Sequence, residues 1–537
     1  MDSIPLNLVM WIAAVAPIVV LMILMLGLQW GAAKAAPVGL VIALISGIVL
    51  YKAPANLLLW EGLKGLWSAV TVLLVVWPAI LIYEVSDHVG AFKVFRAGMQ
   101  KFTPNELLQI IIIGWVFVSF LQGITGFGVP VAVGAPLLVG LGVHPLFAVI
   151  IPLIGHAWGN TFGTLAVAWD QLVATTGIAG QSLLATAAWA AVFIWVWNAI
   201  TGIAICWFYG GAKALKKGAP AVIIISLIQA GGQLALSQVN QTLACFVPCC
   251  VALVVSVLLG RTGLYNKPWR VEDSKLMDRT KTAEASADDM PKGMGMMQAF
   301  FPYILLTVIT LVVLLIQPIK NFLGQVKIGF GVPETVTGYG YVNGAAALYS
   351  PVSILTHAFT FLLLSSLIGY FYFMKHGWAD AKGFGKVLKL SFKETAPSAI
   401  AVIAFLMMSR IMGGTGQTVV LARGIAQVLG KGYAVLAPVV GMLGSFMTSS
   451  NMASNVLFGE FQLETARLLN FNPAPILGAQ TAGGAIGNTI CPGNIILGTT
   501  TAGILGQEGL VLRKILPLTV TAAVIVGVIL FLTLVVF

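Results

Sequence analysis

Residues 119–130 read SFLQGITGFGVP, an apolar stretch that three glycines and a proline interrupt between residues 123 and 130. A second apolar stretch is broken at residues 448–455 by TSSNMASN, whose hydroxyl and amide side chains favour helix caps over helix interiors. In a bilayer such breaks survive only where the freed backbone lines a cavity enclosed by protein. The two stretches therefore predict discontinuous helices around a central cavity.

Both breaks belong to a segment that occurs twice. Arg96, Ser119-Phe120 and Gly159-Asn160-Thr161 of the first copy correspond to Arg423, Ser445-Phe446 and Gly487-Asn488-Thr489 of the second. The gaps between these landmarks are 23 and 40 residues in the first copy and 22 and 42 in the second. Many secondary transporters are built from two such repeats in inverted orientation.

The composition places the chain in a membrane. Of its 537 residues, 59% are hydrophobic and 9% are charged, whereas charged residues make up about 25% of a typical soluble domain. Further apolar stretches include 182–209 and 219–237, which are long enough to span a bilayer. We expect an all-α polytopic membrane protein with about 12 or more transmembrane segments and two inverted repeats that contain re-entrant or discontinuous helices.

The net charge of +11 does not indicate a nucleic-acid partner, because the basic residues gather in short loops between apolar stretches. These clusters lie at 93–101, 213–217, 375–393 and 513–514. By the positive-inside rule they are cytoplasmic. The first repeat then begins inside and the second outside. The five cysteines lie within or beside apolar stretches and are expected to be unpaired and buried.

These features divide the chain into regions of different character. Transmembrane helices are expected at 1–86, repeat 1 at 87–181, transmembrane helices at 182–260, a flexible cytoplasmic linker at 261–297, transmembrane helices at 298–412 with an external loop at 320–350, repeat 2 at 413–511 and a C-terminal transmembrane helix at 512–537. Segments 87–101 and 417–430 have one basic and one apolar face, which is typical of helices that lie along the interface.

A helix that begins within the membrane presents free N–H groups and the positive end of its dipole, and it therefore attracts an anion. Two inverted copies would bring such ends together near the midplane, where a small carboxylate could bind. The candidate substrate-binding residues are Gln122, Thr125, Gly126, Phe127, Gly128, Asn160, Thr161, Ser449, Ser450, Asn451, Ser454, Asn455, Asn488 and Thr489. The alternative is that these residues only permit close contact between helices.

Ionisable residues within apolar stretches are costly and are candidates for function. His156 and Asp170 flank the first Asn-Thr motif and Glu460 follows the second break, so these three are candidates for coupling transport to an ion. A buried, hydrogen-bonded histidine is an equally good interpretation of His156. Arg410, at the outer end of its stretch, is interpreted as snorkelling towards water. The apolar stretches hold no paired carboxylates, metal-spaced cluster or activated nucleophile, so neither an enzyme nor a cofactor or metal is expected.

The repeats carry further motifs: FLQG at 120–123, GFGVP at 126–130, LLVGLG at 137–142, SN at 450–451 and SNVLFG at 454–459. With them, most of the chain resembles the lactate permease family of bacterial transporters. The resemblance implies uptake of lactate, and in some members glycolate, with a proton across the cytoplasmic membrane.

Three positions depart from the pattern of that family. Gln122 stands where the family typically has Glu, Asn451 where it has Asp, and Asn488 where it often has Lys. Each change keeps hydrogen bonding and removes a charge. Amide, hydroxyl and backbone oxygens near 448–455 and 488–494 can hold Na⁺ but cannot release a proton near neutral pH, so Na⁺ is an alternative coupling ion.

The sequence therefore predicts a symporter that carries a small organic monocarboxylate, such as lactate or a related 2-hydroxy acid, together with H⁺ or Na⁺. A passive channel for small anions, or a transporter of another small organic anion such as a sulfonate, is the alternative. Membrane lipid is a further expected partner and nucleic acid is not. Saturable flux that an ion gradient drives uphill separates a transporter from a channel.

Overall fold

The computed structural model describes residues 4–24, 28, 30–99, 103–126, 128–279, 291–504 and 506–536. Helices dominate these residues. The N-terminal region contains α1 (Leu8–Met22), α2 (Ala32–Val49), α3 (Ala55–His88) and α4 (Ala91–Met99). The first repeat continues with α5 (Glu106–Ile111), a π-helical stretch (Ile112–Phe117), α6 (Val118–Ile124), α7 (Val129–Gly140), α8 (Pro145–Ala157) and α9 (Gly163–Thr176).

The middle of the chain holds long helices and four short strands. Its elements are α10 (Gly180–Ser226), α11 (Gly232–Ser237), α12 (Phe246–Gly260), α13 (Met296–Ala299), α14 (Phe301–Leu315), α15 (Gln317–Leu323), β1 (Lys327–Val332), β2 (Thr335–Val336), β3 (Val342–Asn343), β4 (Ala346–Ser353), α16 (Ala358–Lys375) and α17 (Ala381–Thr415). The second repeat contains α18 (Gln417–Leu429), α19 (Tyr433–Thr448), α20 (Asn451–Leu468), α21 (Pro473–Gly487) and α22 (Pro492–Thr501), and α23 (Glu508–Phe531) follows it.

Within the described residues, eight helices are long and apolar enough to cross a membrane, or up to ten if each of two bent helix pairs is one span. The apolar part of the segment Glu106–Ile124 is 94% buried inside the protein, whereas that of Glu508–Val536 is only 33% buried. The leading helix of the first repeat therefore lies in the interior, and the C-terminal helix lies at the periphery. The expected multi-pass helical fold is confirmed, while the count of about 12 or more spans stays a prediction.

The two repeats have the same order of elements. In the first, α8 begins with a proline after His144, whose side chain accepts from Leu146 N, and it ends in a 3₁₀ turn at Trp158–Asn160. In the second, α21 begins with a proline after Asn472, whose side chain accepts from Ala474 N, and it ends in a 3₁₀ turn at Asn488–Ile490. Asn160 and Asn488 thus occupy equivalent turns.

The expected spans at 182–209 and 219–237 meet at a kink. The range of α10, Gly180–Ser226, contains two helices, because the backbone is not helical at Gly210 and Gly211, where φ is −169° and 59°. The basic cluster at 213–217, expected in a loop, is helical. Two consecutive glycines allow the chain to change direction within one turn, because neither carries a Cβ that would oppose the left-handed conformation of Gly211.

The region 320–350, expected to be a loop in an all-α protein, contains strands. Strand β1 pairs antiparallel with β4, from Lys327 opposite Ser353 to Val332 opposite Ala346, and β2 pairs with β3. Cross-strand packing stabilises the larger pair, because the rings of Phe330 and Tyr349 face each other with their centroids 6.1 Å apart. We call the segment 327–353 the hairpin region. The indole of Trp67 on α3 donates to Ser350 O at 3.1 Å and attaches this region to the helices.

The described part of the expected flexible linker is folded against the first repeat. Thr103 Oγ1 donates to Tyr265 O at 2.8 Å, and Tyr265 is buried. Arg279 Nη1 and Nη2 each lie 3.0 Å from a carboxylate oxygen of Glu106, and this hydrogen-bonded carboxylate raises the pKa of the Arg279 guanidinium. The expectation of flexibility is therefore wrong for 261–279, because polar contacts that composition does not reveal fix it. Residues 280–290 lie outside the described residues.

Candidate functional site

The first break brings the start of α7 against the second repeat. Gly126 and Gly128 have φ angles of 57° and 85°, in the left-handed region that favours glycine. A Cβ on Gly126 would overlap Thr164 Oγ1, and one on Gly128 would lie 2.6 Å from Leu497 Cδ2 and 3.1 Å from Asn494 Oδ1. Both glycines are thus required by conformation and by space. Phe127, a predicted site residue, lies outside the described residues.

At the second break, side-chain hydroxyls accept hydrogen bonds from backbone N–H groups near the starts of two helices. Ser449 adopts a left-handed conformation with φ of 57°, and its Oγ accepts from Gly493 N at 3.1 Å near the start of α22. Ser450 is extended and caps α20, because its Oγ accepts from Ala453 N at 3.3 Å. The break therefore orients one hydroxyl towards each of two helix N-termini.

A small cavity of about 40 Å³ lies between the two breaks. It is lined by Gln122, Gly128, Asn160, Gly163, Thr164, Val167, Ala168, Ser449, Ser450, Asn451, Met452, Asn488 and Asn494. Among the described residues, the lining contains amides and hydroxyls and no titratable side chain. Such a surface can hydrogen-bond a small polar ligand without contributing a formal charge.

Amide side chains connect the walls of this cavity. Gln122 Nε2 donates to Asn160 Oδ1 at 3.2 Å within the first copy. In the second copy Asn494 Nδ2 donates to Asn488 Oδ1 at 2.8 Å. Asn451 Nδ2 donates across the copies to Thr161 Oγ1 at 3.3 Å. The polar groups of the two repeats thus form one hydrogen-bonded surface.

Other predicted site residues lie behind the cavity wall. Thr161 Oγ1 lies 3.1 Å from both O and Oγ1 of Thr481. Asn455 Nδ2 donates to Ala168 O and to Thr481 Oγ1, both at 2.9 Å, and so joins α20 to α9 and α21. The remaining residues of this group are Thr125, Ser454 and Thr489, which are also buried. These residues support the wall rather than face the cavity, and their functional assignment stays a prediction.

Among the coupling candidates, His156 lies nearest to the cavity lining in the hydrogen-bond network. Its Nδ1 is 2.6 Å from Pro152 O, and its Nε2 is 3.1 Å from Oδ1 of the lining residue Asn488. A protonated imidazole has two N–H groups and would donate to both oxygens. A neutral ring has only one N–H, so its other nitrogen would face an oxygen with no proton between them, unless the Asn488 amide turns and presents its NH₂ group to Nε2. The protonation of His156 and the orientation of Asn488 are therefore linked.

Asp170 and Glu460 lie away from the central lining. Asp170 lines a separate cavity beside α3. Glu460 lies against Gly413 of α17, where a Cβ would overlap its carboxylate. The ion pairs Glu61–Lys64 and Glu464–Arg467, each with a distance of 2.6 Å, are further charged contacts of α3 and α20.

The snorkelling interpretation of Arg410 is wrong. Its Nη2 donates to Ala174 O at 2.8 Å, near the C-terminus of α9, and its guanidinium lies 5.6 Å from the centre of the Tyr349 ring. Carbonyl groups at a helix C-terminus lack partners within the helix and carry partial negative charge, so they attract a cation. Arg410 thus links α17, α9 and the hairpin region.

Sequence reasoning missed several residues of the cavity wall. They are Gly163, Thr164, Val167, Ala168, Met452 and Asn494. Asn494 stands in the broken motif CPGN, which was a usable signal. No comparable signal marks Thr164, because the left-handed turn that it opens contains no glycine.

Residues 10–537 match the profile of the family described as L-lactate permease. The chain belongs to the L-lactate permease family. This match confirms the resemblance noted in its motifs. The chain is a multi-pass transport protein of the bacterial cytoplasmic membrane.

Three known proteins illustrate its similarity. The chain is 27% identical over 520 residues to the L-lactate permease of Escherichia coli K12, covering 91% of this chain and 89% of that protein. It is 25% identical over 552 residues to the glycolate permease GlcA of E. coli K12, covering 96% of this chain and 94% of that protein. The solved structure of the YdaH transporter of Alcanivorax borkumensis aligns with 85% of this chain and 84% of its own, with a TM-score of 0.40 and 13% identity.

Proposed function

We propose that this protein is a symporter that carries a small monocarboxylate, such as lactate or a related 2-hydroxy acid, together with H⁺ or Na⁺. The observation that carries the proposal is the central cavity, to which the breaks of both repeats contribute hydrogen-bonding groups. The similar proteins of E. coli are named for L-lactate and for glycolate, which are both 2-hydroxy acids. This agreement supports the substrate class.

The start of α20 is the best position for the carboxylate. Ser450 and Asn451 both line the cavity there, and α20 is 18 residues long. A helix N-terminus stabilises a nearby anion by about 0.3–1 kcal/mol at a surface, and by up to about 2 kcal/mol in partly buried sites. Across the cavity, Gln122 and Asn160 offer amide groups that can pair with a 2-hydroxyl.

A cation would complete the charge balance. The part of the lining that the structure describes holds no Lys or Arg, so a bound carboxylate has only dipoles to stabilise it there, in a region of low dielectric constant. A proton on His156, adjacent to Asn488, would supply the charge from just behind the wall. A Na⁺ held by amide oxygens would supply it from within the cavity. Asp170 and Glu460 stay candidates for steps outside this cavity.

The inverted orientation of the repeats is part of the proposal. The positions to label are Pro104, before α5, and Lys431, before α19, which are both exposed. In a variant that lacks the native cysteines, Pro104→Cys and Lys431→Cys should react with an impermeant thiol reagent from opposite sides of the membrane. Labelling from the same side would contradict the inverted orientation.

The function itself is tested by uptake into proteoliposomes with a pH gradient and a Na⁺ gradient imposed separately. We expect saturable uptake of lactate or glycolate, and accumulation above the external concentration with one of the two gradients. Accumulation with the pH gradient alone, in nominally Na⁺-free buffer, would identify H⁺. Flux that never exceeds equilibrium under either gradient would indicate a passive channel and contradict symport.

A further inference from the structure

A second and larger cavity, of about 250 Å³, adjoins the central one. Its walls come from α3, α9, β4 and the segment that joins β4 to α16, together with Thr242. We call it the outer cavity. Its polar lining residues are Thr71, Asp170, Gln171, Thr242, Ser350, Ser353, Thr356 and His357. Unlike the central cavity, it therefore contains titratable side chains.

Two buried atoms in this lining lack hydrogen-bond partners. Within the described part of the chain, none is found for Nδ1 of His357 or for Oε1 of Gln171. Buried polar atoms without partners are unfavourable and uncommon in folded proteins. Each of the two atoms has less than 1 Å² of exposed surface, so a hydroxy acid in this cavity would reach them only after the His357 or Gln171 side chain rotates.

One turn separates the outer cavity from the central one. Thr164 lines the central cavity, Leu165 lines the outer cavity, and Val167 lines both. Thr164, Leu165 and Ala166 have φ angles of 49°, 52° and 70°, although none is glycine. Residues with side chains are strained in this conformation, and such strain is concentrated at ligand clamps and switch regions. For these three residues a right-handed conformation would have a lower local backbone energy.

We infer that the outer cavity is a second binding position for the transported carboxylate, which passes from it to the central cavity when the turn at 164–166 changes conformation. The inference rests on the proposed function. His357 and Thr71 would bind the anion. Asp170 would repel a carboxylate unless it carries H⁺ or lies beside a cation. An anion thus enters this cavity in company with a cation, as symport requires.

The test uses a variant without the native cysteines that carries Thr71→Cys. A small anionic methanethiosulfonate should modify Cys at this position and lower the initial rate of lactate uptake at least about tenfold, since the added group fills a position on the substrate path. Lactate should slow the modification. The matched control is Val70→Cys, because Val70 is the next residue of α3, is 40% exposed and does not line the outer cavity. Uptake by that variant should be unchanged after the same treatment.

A second probe covers the case in which Thr71→Cys is inactive before modification. Ala174→Cys lies on the α9 wall of the same cavity and should respond in the same way. To identify the binding group, His357→Leu is added to the active probe. Loss of one hydrogen bond to a charged ligand should raise, about tenfold, the lactate concentration that halves the rate of modification of the probe cysteine.

The outcomes separate this inference from the proposed function. If mass spectrometry shows complete modification of both probes while lactate uptake is undiminished, the outer cavity is not on the path and the inference is overturned. If the unmodified protein shows no saturable uptake of any small monocarboxylate, the proposed function fails first. Protection by lactate that His357→Leu does not weaken would overturn the assignment of His357.

Discussion

The two helix breaks place the same backbone conformation in different surroundings. Gly126 of the first copy and Ser449 of the second both have φ of 57°. At Gly126, Thr164 Oγ1 occupies the space that a Cβ would need, whereas at Ser449 the side chain has room and accepts from Gly493 N. At this backbone angle the first break thus has no space for a side chain, whereas the second break uses its side chain for a hydrogen bond.

This difference predicts unequal tolerance to exchange of the two residues. Gly126→Ser should lower uptake at least about 100-fold. Its Cβ would displace Thr164, and the left-handed conformation is strained for a residue with a side chain. Ser449→Gly should change uptake by less than about fivefold, because the lost hydrogen bond, about 0.5–1.5 kcal/mol, is offset by relief of about 1 kcal/mol of backbone strain. The measurement is the initial rate of lactate uptake per folded protein in proteoliposomes. Equal losses in the two variants would contradict the comparison.

The equivalent asparagines at the 3₁₀ turns provide a second comparison. Asn488→Leu removes the partner of two side chains, His156 and Asn494, whereas Asn160→Leu removes the partner of one side chain, Gln122, and a donor to the backbone oxygen of Ala157. An orphaned buried group costs about 1–3 kcal/mol, so KM for lactate should rise about 10- to 100-fold in Asn488→Leu and less in Asn160→Leu. Saturation curves of uptake measure the difference.

Asn321→Leu is the matched control for both asparagine variants. Asn321 lies on α15, is exposed and lines neither cavity. Its KM should equal that of the unaltered protein. Unchanged KM in both site variants would mean that the two asparagines only permit close contact between helices.

His156 connects the two copies of the repeat, because it lies in the first copy and its Nε2 contacts Asn488 of the second copy. If H⁺ is the coupling ion, His156→Gln should abolish accumulation under a pH gradient and leave exchange of internal for external lactate within about threefold of normal. The amide keeps a hydrogen-bonding group in place of the ring and cannot carry a proton near neutral pH. Full accumulation by this variant would exclude His156 as the coupling group.

The sequence was sufficient where local residue types determine the backbone. Glycines and a proline at 126–130, and Ser449 with Ser450, end their helices wherever they stand, so both breaks could be located without a structure. The positions of Asn160 and Asn488 could also be predicted, because each asparagine follows a glycine in one of two matched motifs. Seven of the predicted site residues line one cavity as a result: Gln122, Gly128, Asn160, Ser449, Ser450, Asn451 and Asn488.

The features that sequence reasoning missed depend on tertiary contacts. Thr164, Leu165 and Ala166 have no preference for the left-handed region, so surrounding structure must impose it on them. The hairpin region forms because Trp67 and a cross-strand aromatic pair stabilise strands interrupted by glycines. The position of Arg410 depends on the end of α9, which is distant in the sequence.

The smallest expected effect concerns the caps at the two breaks, Gly128 before α7 and Ser450 before α20. Ser450→Gly gives the second break the cap chemistry of the first and should cost only a few tenths of a kcal/mol, whereas Ser450→Ala should cost about 1 kcal/mol, because alanine neither caps nor favours the cap conformation. In detergent, Tm should therefore fall by less than about 1 °C in Ser450→Gly and by about 1–3 °C in Ser450→Ala. If alanine were tolerated as well as glycine, the Ser450 hydroxyl would not be stabilising α20. It would then be free to bind the substrate, and KM rather than Tm would report its loss.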